Sequence, residues 1–187
     1  MEIVNDYDIH SETMALLPHF DRFANLNTIV MEENGHFLVP IAPKKVIDES
    51  CRYYGSSYEG RLEGVKRVMG ISKKAPIAIS AELGIFFFPL ESPSNASCVW
   101  LSHSHIEKVK ENDQRQALIV FVNGQSLVAP ASRNQVEVKL LRTAQYRHLL
   151  EIRTAKKQNY FFYRKREKVE VVRDPARQSY DVKQVVE

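Results

Sequence analysis

The stretch from residue 50 to residue 69 reads SCRYYGSSYEGRLEGVKRVM, and it constrains the fold of this chain more than any other. Apolar residues at helical spacing predict two short helices that meet at a tight joint. Gly55 supplies the left-handed conformation that closes a helix, and Ser56 or Ser57 can cap the next helix through a side-chain oxygen. The predicted buried stripes are Val46, Ile47, Cys51 and Tyr54 in the first helix and Tyr58, Leu62, Val65 and Met69 in the second.

Cationic side chains occupy the outward positions of this helix pair and the segment after it: Arg52, Arg61, Lys66, Arg67, Lys73 and Lys74. A capped helix start with cations beside it makes a favourable anion site. The pattern therefore indicates phosphate contact, with a solvated helix face as the alternative. Gly60 and Gly64 lie one turn apart on the second helix, which indicates that another helix or a ligand approaches the backbone there.

The net charge of +3 conceals a strong segregation of charge along the chain. Residues 1–41 carry a net charge of −6, residues 42–74 carry +4 and residues 142–168 carry +7. A polyanionic partner needs local positive potential rather than a high overall charge. We therefore predict that the two basic blocks converge on one surface of the folded chain.

The rest of the chain up to residue 130 is typical of strands and hairpins. Asn34-Gly35 and Asn123-Gly124 supply the positive φ values that tight hairpins require, and Phe86-Phe87-Phe88 favours a core strand over an exposed aromatic platform. The predicted fold is α+β: antiparallel strands and hairpins packed with about three helices, plus a basic C-terminal tail. We expect one domain over residues 1–155 and an aromatic and basic tail over residues 156–187.

A long helix is predicted from Asn134 to about Thr154, with Ser132 and Gln135 forming a capping box at its start. The candidates for its buried side are Leu141, Ala144, Leu149 and Ile152. A second set, Lys139, Arg142, Tyr146 and Arg153, falls within a sector about 60° wide. This basic stripe suits a nucleic-acid backbone, with a solvent-facing helix surface as the alternative.

The cysteines and histidines raise an alternative function, a metal- or thiol-dependent enzyme around Cys51, Cys98, His103 and His105. A structural zinc site needs four ligands, usually in two close pairs, and a cysteine nucleophile needs a base and an orienting group. Neither pattern is present in the sequence. We therefore expect no metal, cofactor or catalytic residue, and we assign the two histidines to hydrogen bonds within the fold or to DNA phosphates.

The composition also bears on the compartment. Two cysteines are too few for a disulfide framework, which favours a reduced cytoplasmic location. No run approaches the ~18 apolar residues that a membrane span needs. The acidic start of the chain argues against a secretory signal.

Four blocks, SCRYYGSSYEGRLEG, KAPIAIS, IFFFP and CVWLSHSHI, together resemble the competence transcription factor (ComK) family of bacteria. The resemblance is clear from about Lys44 to His105 and looser from Val120 to Arg147. It implies a DNA-binding transcriptional activator of competence genes rather than an enzyme. Such proteins bind paired A/T-rich promoter boxes, largely through the minor groove, and act as dimers that pair on the DNA. An RNA- or protein-binding module remains an alternative for the basic surface.

The residues expected to contact DNA combine the basic positions with the blocks of the resemblance: Arg52, Ser56, Ser57, Arg61, Lys66, Arg67, Lys73, Lys74, His103, His105, Lys139, Arg142 and Arg153. RNA polymerase is an indirect partner, and the expected location is the nucleoid in the cytoplasm. In this family an aromatic and basic tail motif can recruit the adaptor MecA for degradation by a Clp protease. Phe162, Tyr163 and Lys165 fit that motif loosely, whereas Arg164 stands where its proline would be.

Overall fold

The computed structural model of this chain describes residues 1–112, 114–163, 169–174 and 179–184. For residues 156–163 and for the last two strands it describes the backbone alone, except at Val171, where it also describes the side chain. The chain divides into two units, Met1–Glu151 and Ile152–Glu187, and the division falls within one long helix. The described residues form three helices and twelve strands, so the fold is α+β as predicted.

A seven-stranded sheet forms the centre of the first unit. Its strands are β1 (Glu2–Ile3), β2 (Thr13–Phe20), β3 (Leu26–Glu32), β4 (Gly35–Val39), β5 (Ile77–Ser80), β6 (Ile85–Pro89) and β7 (Trp100–Ser102). Their order across the sheet is β1-β4-β3-β2-β7-β6-β5. Every neighbouring pair is antiparallel except β1 and β4, which run parallel with Glu2 opposite Phe37. The predicted hairpins around Asn34 and Asn123 are both present.

The other elements of the first unit pack around this sheet. They are the helices α1 (Pro43–Tyr53) and α2 (Tyr58–Met69), then a three-stranded antiparallel sheet of β8 (Ile106–Glu111), β9 (Ala117–Phe121) and β10 (Ser126–Ala129), and then α3 (Arg133–Tyr163). The second unit contains the end of α3 and an antiparallel hairpin of β11 (Val169–Asp174) and β12 (Ser179–Gln184).

The core of the first unit occupies both faces of the central sheet. On one face, Phe87 and Trp100 pack with Val46, Ile47 and Cys51 of α1. Phe88 and Leu101, which alternate with these residues along the strands, point to the other face. They pack there against β9 and the first turn of α3. Phe86, Phe87 and Phe88 are all buried, which confirms the core strand and removes this run from the surfaces on which a second copy could dock.

Local capping chemistry fixes the joint between α1 and α2, as predicted. Gly55 has φ of +78°, a conformation that glycine adopts without a Cβ penalty. The side-chain oxygen of Ser57 accepts the N–H of Gly60 at 3.1 Å and caps α2. The Asp48 carboxylate accepts the N–H of Tyr58 at 2.9 Å, so α1 supplies a second partner for the first turn of α2. Tyr58 then packs edge-on against Trp100 with ring centroids 6.2 Å apart.

Arg61 points into the protein, which differs from its predicted outward position. Its Nη2 atom donates to the backbone oxygen of Tyr54 at 3.0 Å and to that of Ile79 at 3.2 Å. Tyr54 follows the end of α1, where helix carbonyls lack partners. Ile79 lies at an irregularity in the pairing of β5 with β6, where a carbonyl loses its ladder partner. One guanidinium therefore joins α1, α2 and β5.

The buried side of α3 also differs from the prediction. Leu141 is 71% exposed and Ala144 is exposed, whereas Val136, Thr143 and Tyr146 are buried. Thr143 can be buried because its hydroxyl donates to the Lys139 backbone oxygen at 2.7 Å. Tyr146 packs edge-on against Phe86, with centroids 6.0 Å apart, in a cluster that also contains Val65 of α2.

We expect Arg61→Ala to lower the free energy of unfolding by about 2–4 kcal/mol, because two backbone oxygens lose their donor. Arg67→Ala removes an exposed arginine from the same helix and should change stability by less than about 0.5 kcal/mol. Urea unfolding followed by circular dichroism measures both. Equal midpoints and slopes for the two variants would show that Arg61 has no structural role.

Candidate nucleic-acid interface

The two ends of the central sheet differ in charge. β2, β4 and β6 finish, and β3, β5 and β7 begin, at one end. The β2–β3 turn, the start of α1 and the segment before β5 therefore lie there. We term this the cationic end because its basic residues, Arg22, Lys44, Lys45, Lys73 and Lys74, outnumber the carboxylates of Asp21 and Glu91 that also lie there. The opposite end, here the acidic end, carries Glu12, Glu32, Glu33 and Glu82 in the segment before β2 and in the β3–β4 and β5–β6 turns.

Lys74, the last residue of the first basic block, lies near Lys139 and Arg142 in a cluster at the cationic end. Arg142 is the first residue of the second basic block, whereas Arg147 of that block lies near His103, which follows β7 at the opposite end of the sheet. Burial, followed by the positive charge of Lys74 and, more weakly, that of Arg142, lowers the pKa of Lys139 to about 8. Within the described part of the chain none of the three forms an ion pair with a carboxylate. The cluster concentrates positive charge without an internal counterion, which is the arrangement that an external anion stabilises.

Lys74 also has a strained backbone. Its φ is +51°, a left-handed conformation that is uncommon for a residue with a Cβ. Non-glycine residues in this region cost roughly 1–2 kcal/mol. Lys74 therefore combines a strained backbone with a positive charge that lies close to that of Lys139. Strain of this kind is typical of functional sites.

The outer face of α2 extends this positive surface. Gly60, Glu63, Gly64, Lys66 and Arg67 line a shallow depression of about 600 Å³. A Cβ at Gly64 would lie 3.9 Å from the Tyr146 hydroxyl of α3, which is ordinary contact, so the predicted approach of another helix is present but loose. A Cβ at Gly60 would lie 3.1 Å from the Ser56 side-chain oxygen, so the tight approach there comes from the capping segment. Lys66 and Arg67 are exposed.

Four of the predicted DNA contacts, all in α1, in α2 or in the joint between them, have partners inside the protein. Arg52 pairs with Asp48 at 3.0 Å and Arg61 binds two carbonyls. Ser57 caps α2, and the Ser56 hydroxyl donates to the Ser57 backbone oxygen at 3.4 Å. These contacts account for the four side chains structurally, and a role in DNA binding for them stays a prediction.

The predicted histidines lie at the acidic end, away from the cation cluster. They follow β7 in a turn. Buried His105 hydrogen-bonds through Nδ1 to Ser102 at 2.7 Å, and its Nε2 lies 3.4 Å from the Glu33 carboxylate. Half-buried His103 has a lowered pKa because of burial and the positive charge of Arg147. The sequence contains no signal for the partnership with Glu33.

Ser102, His105 and Glu33 are connected in the same order as the serine, histidine and carboxylate of a hydrolytic triad. Ser102 is 1% exposed and lies within β7, which leaves its oxygen almost closed to a substrate, although the residue lines a cavity of about 230 Å³ together with Ser104 and His105. The contacts instead join β7 to the β3–β4 turn.

The residues of the alternative thiol or metal site are dispersed. Cys98 lies just before β7 at the cationic end, whereas His103 and His105 lie beyond it at the acidic end. Burial raises the pKa of the Cys51 thiol to about 11 and also raises that of Cys98, which opposes thiolate formation. Among the described residues, no group of three or more histidines, cysteines and carboxylates is placed to hold a metal ion.

The remaining predictions concern the C-terminal part. Arg153 is an exposed residue of α3 in the second unit. Phe162 and Tyr163 belong to the last turn of α3, but their side chains, and all of Lys165, lie outside the described residues. No helix in the described part of the chain combines the length and the hydropathy of a membrane span.

Comparison with known proteins gives two matches. The family model described as ComK protein matches residues 4–155. The competence transcription factor of Bacillus subtilis (strain 168) is 31% identical over 175 residues, which cover 91% of this chain and 91% of that protein. No solved structure matches the chain significantly.

We expect the Lys139 ammonium group to titrate near pH 8 in an NMR titration of the lysine side chains, because burial and nearby positive charge disfavour its charged form. Lys74→Ala removes one of those charges and should raise that midpoint. Lys66→Ala, on the outer face of α2, is the matched control and should leave it unchanged. Equal midpoints in all three proteins would contradict the proximity of Lys74 and Lys139.

Proposed function

The chain belongs to the ComK family, and on that premise we propose that it is a DNA-binding transcriptional activator of competence genes. Its partner is double-stranded DNA with A/T-rich promoter boxes. The cationic end and the outer face of α2 form the contact surface. Activation acts on RNA polymerase indirectly, and the protein works at the nucleoid in the cytoplasm.

The cluster of Lys74, Lys139 and Arg142 is the observation that supports this proposal. Positive side chains from residues distant in sequence stand together without an internal counterion. A DNA phosphate supplies the missing charge and releases condensed counterions as it binds. Lys66, Arg67 and Lys73 extend the contact along the backbone, since all three are exposed and belong to α2 or the segment that follows it.

The groove preference follows from Arg142, an exposed guanidinium beside the half-buried Lys139. A/T tracts have a narrow minor groove whose enhanced negative potential attracts arginine. Footprinting on A/T-rich duplexes with blockers of each groove tests this part: protection should disappear with the minor-groove blocker alone. Loss only with the major-groove blocker would reverse the assignment.

Membership of the family adds two further parts to the proposal. The protein associates with itself on DNA, and a MecA-type adaptor delivers it to a Clp protease. For the dimer, the exposed side chains of Val138 and Leu141 on α3 offer an apolar surface in place of the buried phenylalanines. Sedimentation velocity with and without a two-box duplex tests association. A strict monomer in both conditions would contradict it.

An RNA-binding module would share the same positive surface, and competition between single-stranded RNA and an A/T-rich duplex separates the two functions. Preferential displacement by RNA would favour the alternative. The enzymatic alternative has less support, because Cys98 lies at the opposite end of the sheet from His103 and His105, and both thiols are buried.

We expect Lys74→Gly to weaken DNA binding without destabilising the protein. Glycine adopts positive φ freely and relieves the strain, while one phosphate contact disappears. The slope of log affinity against log salt should fall in magnitude by about 1. Fluorescence anisotropy with an A/T-rich duplex measures the slope, and thermal unfolding measures stability.

The matched control for Lys74→Gly is Arg147→Ala, which removes an exposed cation near His103, at the acidic end. It should leave the salt slope unchanged. The same slope for wild type and Lys74→Gly would remove Lys74 from the interface. A clear loss of stability in Lys74→Gly would contradict the strain argument.

DNA affinity should decrease as the pH rises through about 8, because the phosphate requires the charged form of Lys139 and the folded-state pKa of this residue is lowered to about 8. Lys139→Arg keeps a positive charge over this range and should abolish the decrease. Anisotropy titrations from pH 7 to pH 9.5 at constant salt provide the measurement. A wild-type affinity independent of pH would argue against contact between Lys139 and phosphate.

A further inference from the structure

The turn between β2 and β3 exposes two aromatic side chains at the cationic end. Phe20 closes β2 and is 51% exposed, and Phe23 at the tip is 71% exposed. Large aromatic rings contribute strongly to binding when they become buried at an interface. Two of them on one short turn indicate a contact surface, whereas scattered single apolar residues would not.

This turn has a defined conformation. The Asp21 carboxylate accepts the backbone N–H of Phe23 at 2.8 Å, the backbone N–H of Asn25 at 2.9 Å and the Asn25 side-chain amide at 2.9 Å. Ala24 has φ of +61°, a strained conformation that surrounding contacts must maintain. The exposed rings are therefore presented in a preset geometry, which lowers the conformational cost of binding.

The turn stands at the end of the sheet that carries the cation cluster. Leu26, the first residue of β3, lines a cavity of about 330 Å³ together with Lys44, Cys98 and Trp100. Cys98 in turn lies within the electrostatic reach of Lys139. Glu12, Glu32 and Glu33, three of the seven N-terminal acids, lie at the opposite end, whereas Asp21 belongs to the turn itself, where its carboxylate accepts the backbone N–H groups of Phe23 and Asn25. A DNA duplex bound at the cationic end thus meets the turn and not these three glutamates.

The side chain between the two rings also suits DNA. The Arg22 guanidinium lies over the Phe23 ring, 4.7 Å from its centroid, so a planar cation and an apolar wedge project together. Arginine enters narrow A/T minor grooves. Minor-groove proteins also insert phenylalanine between base steps, which unstacks the bases and bends the duplex.

We propose that the β2–β3 turn enters the minor groove of the bound duplex, with Arg22 along the groove and Phe23 wedged between base pairs. This inference rests on the proposed function and adds a bending role to it. Flexible steps such as TA lower the cost of the kink, which provides selectivity for A/T-rich sites without base-edge hydrogen bonds.

The experiment uses the full chain with an A/T-rich duplex that carries 2-aminopurine at a central step and a dye at each end. Wild type should raise the 2-aminopurine fluorescence and shorten the end-to-end distance. Phe23→Ala should lose both signals and about tenfold in affinity, since the wedge contact is gone. The salt slope should stay at its wild-type value, because no phosphate contact changes.

Two variants make the result specific. Phe23→Leu keeps an apolar wedge and should retain the bend. Leu83→Ala removes a side chain that is 61% exposed in the β5–β6 turn at the acidic end, and it should behave as wild type. Unfolding midpoints close to wild type would confirm that these exposed substitutions leave the fold intact.

The outcomes separate this inference from the function on which it rests. Salt-dependent duplex binding by wild type, with Phe23→Ala bending the DNA equally, overturns the wedge and leaves the DNA-binding function standing. Absence of duplex binding by wild type at low salt overturns both. A Phe23→Ala variant that loses self-association without DNA, while it keeps the bend, would assign the turn to contact between copies and also overturns the wedge.

Discussion

The guanidinium of Arg61 is the contact on which the arrangement of the first unit depends. Its Nη2 atom donates to the Tyr54 carbonyl at the end of α1 and to the Ile79 carbonyl at an irregularity in the pairing of β5. This holds α2 beside β5, so that Tyr58 reaches Trp100 on one face of the sheet while Val65 joins the cluster around Phe86 on the other. The exposed cations of α2 and the segment after it take their positions from this placement.

The cationic end lowers the stability of the free protein and favours the binding of an anion. Lys74 combines a left-handed backbone with a charge that lowers the pKa of Lys139, so the free protein is strained at this point both conformationally and electrostatically. An anion relieves the electrostatic part at once. Glu12, Glu32 and Glu33 lie at the other end of the sheet and do not neutralise the cluster, which gives the molecule a defined direction of approach to a polyanion.

The sequence predicts the features that depend on neighbouring residues. The Gly55 joint, the Ser57 cap, the capping box of Ser132 with Gln135 and the buried phenylalanine strand are all present. Charge blocks predict that the basic regions converge, but they do not identify which side chains meet. The inward turn of Arg61 depends on an irregularity in β5, which has no signature in the sequence. The face of α3 was predicted wrongly at Leu141 and Ala144, whereas Leu149 and Ile152 are half-buried. Helical periodicity gives weight to Leu141, but a buried threonine such as Thr143 depends on the helix carbonyl that accepts a hydrogen bond from its hydroxyl.

The short strand β1 has a consequence for handling the protein. It covers the outer side of β4, and its residues are themselves exposed. Displacement of these two residues would leave the N–H and C=O groups of β4 as an open sheet edge on which another chain can add a strand. A fusion tag or proteolytic nick that loosens residues 2 and 3 would therefore promote aggregation while the core and the cation cluster stay intact. Tags are better placed elsewhere in the chain.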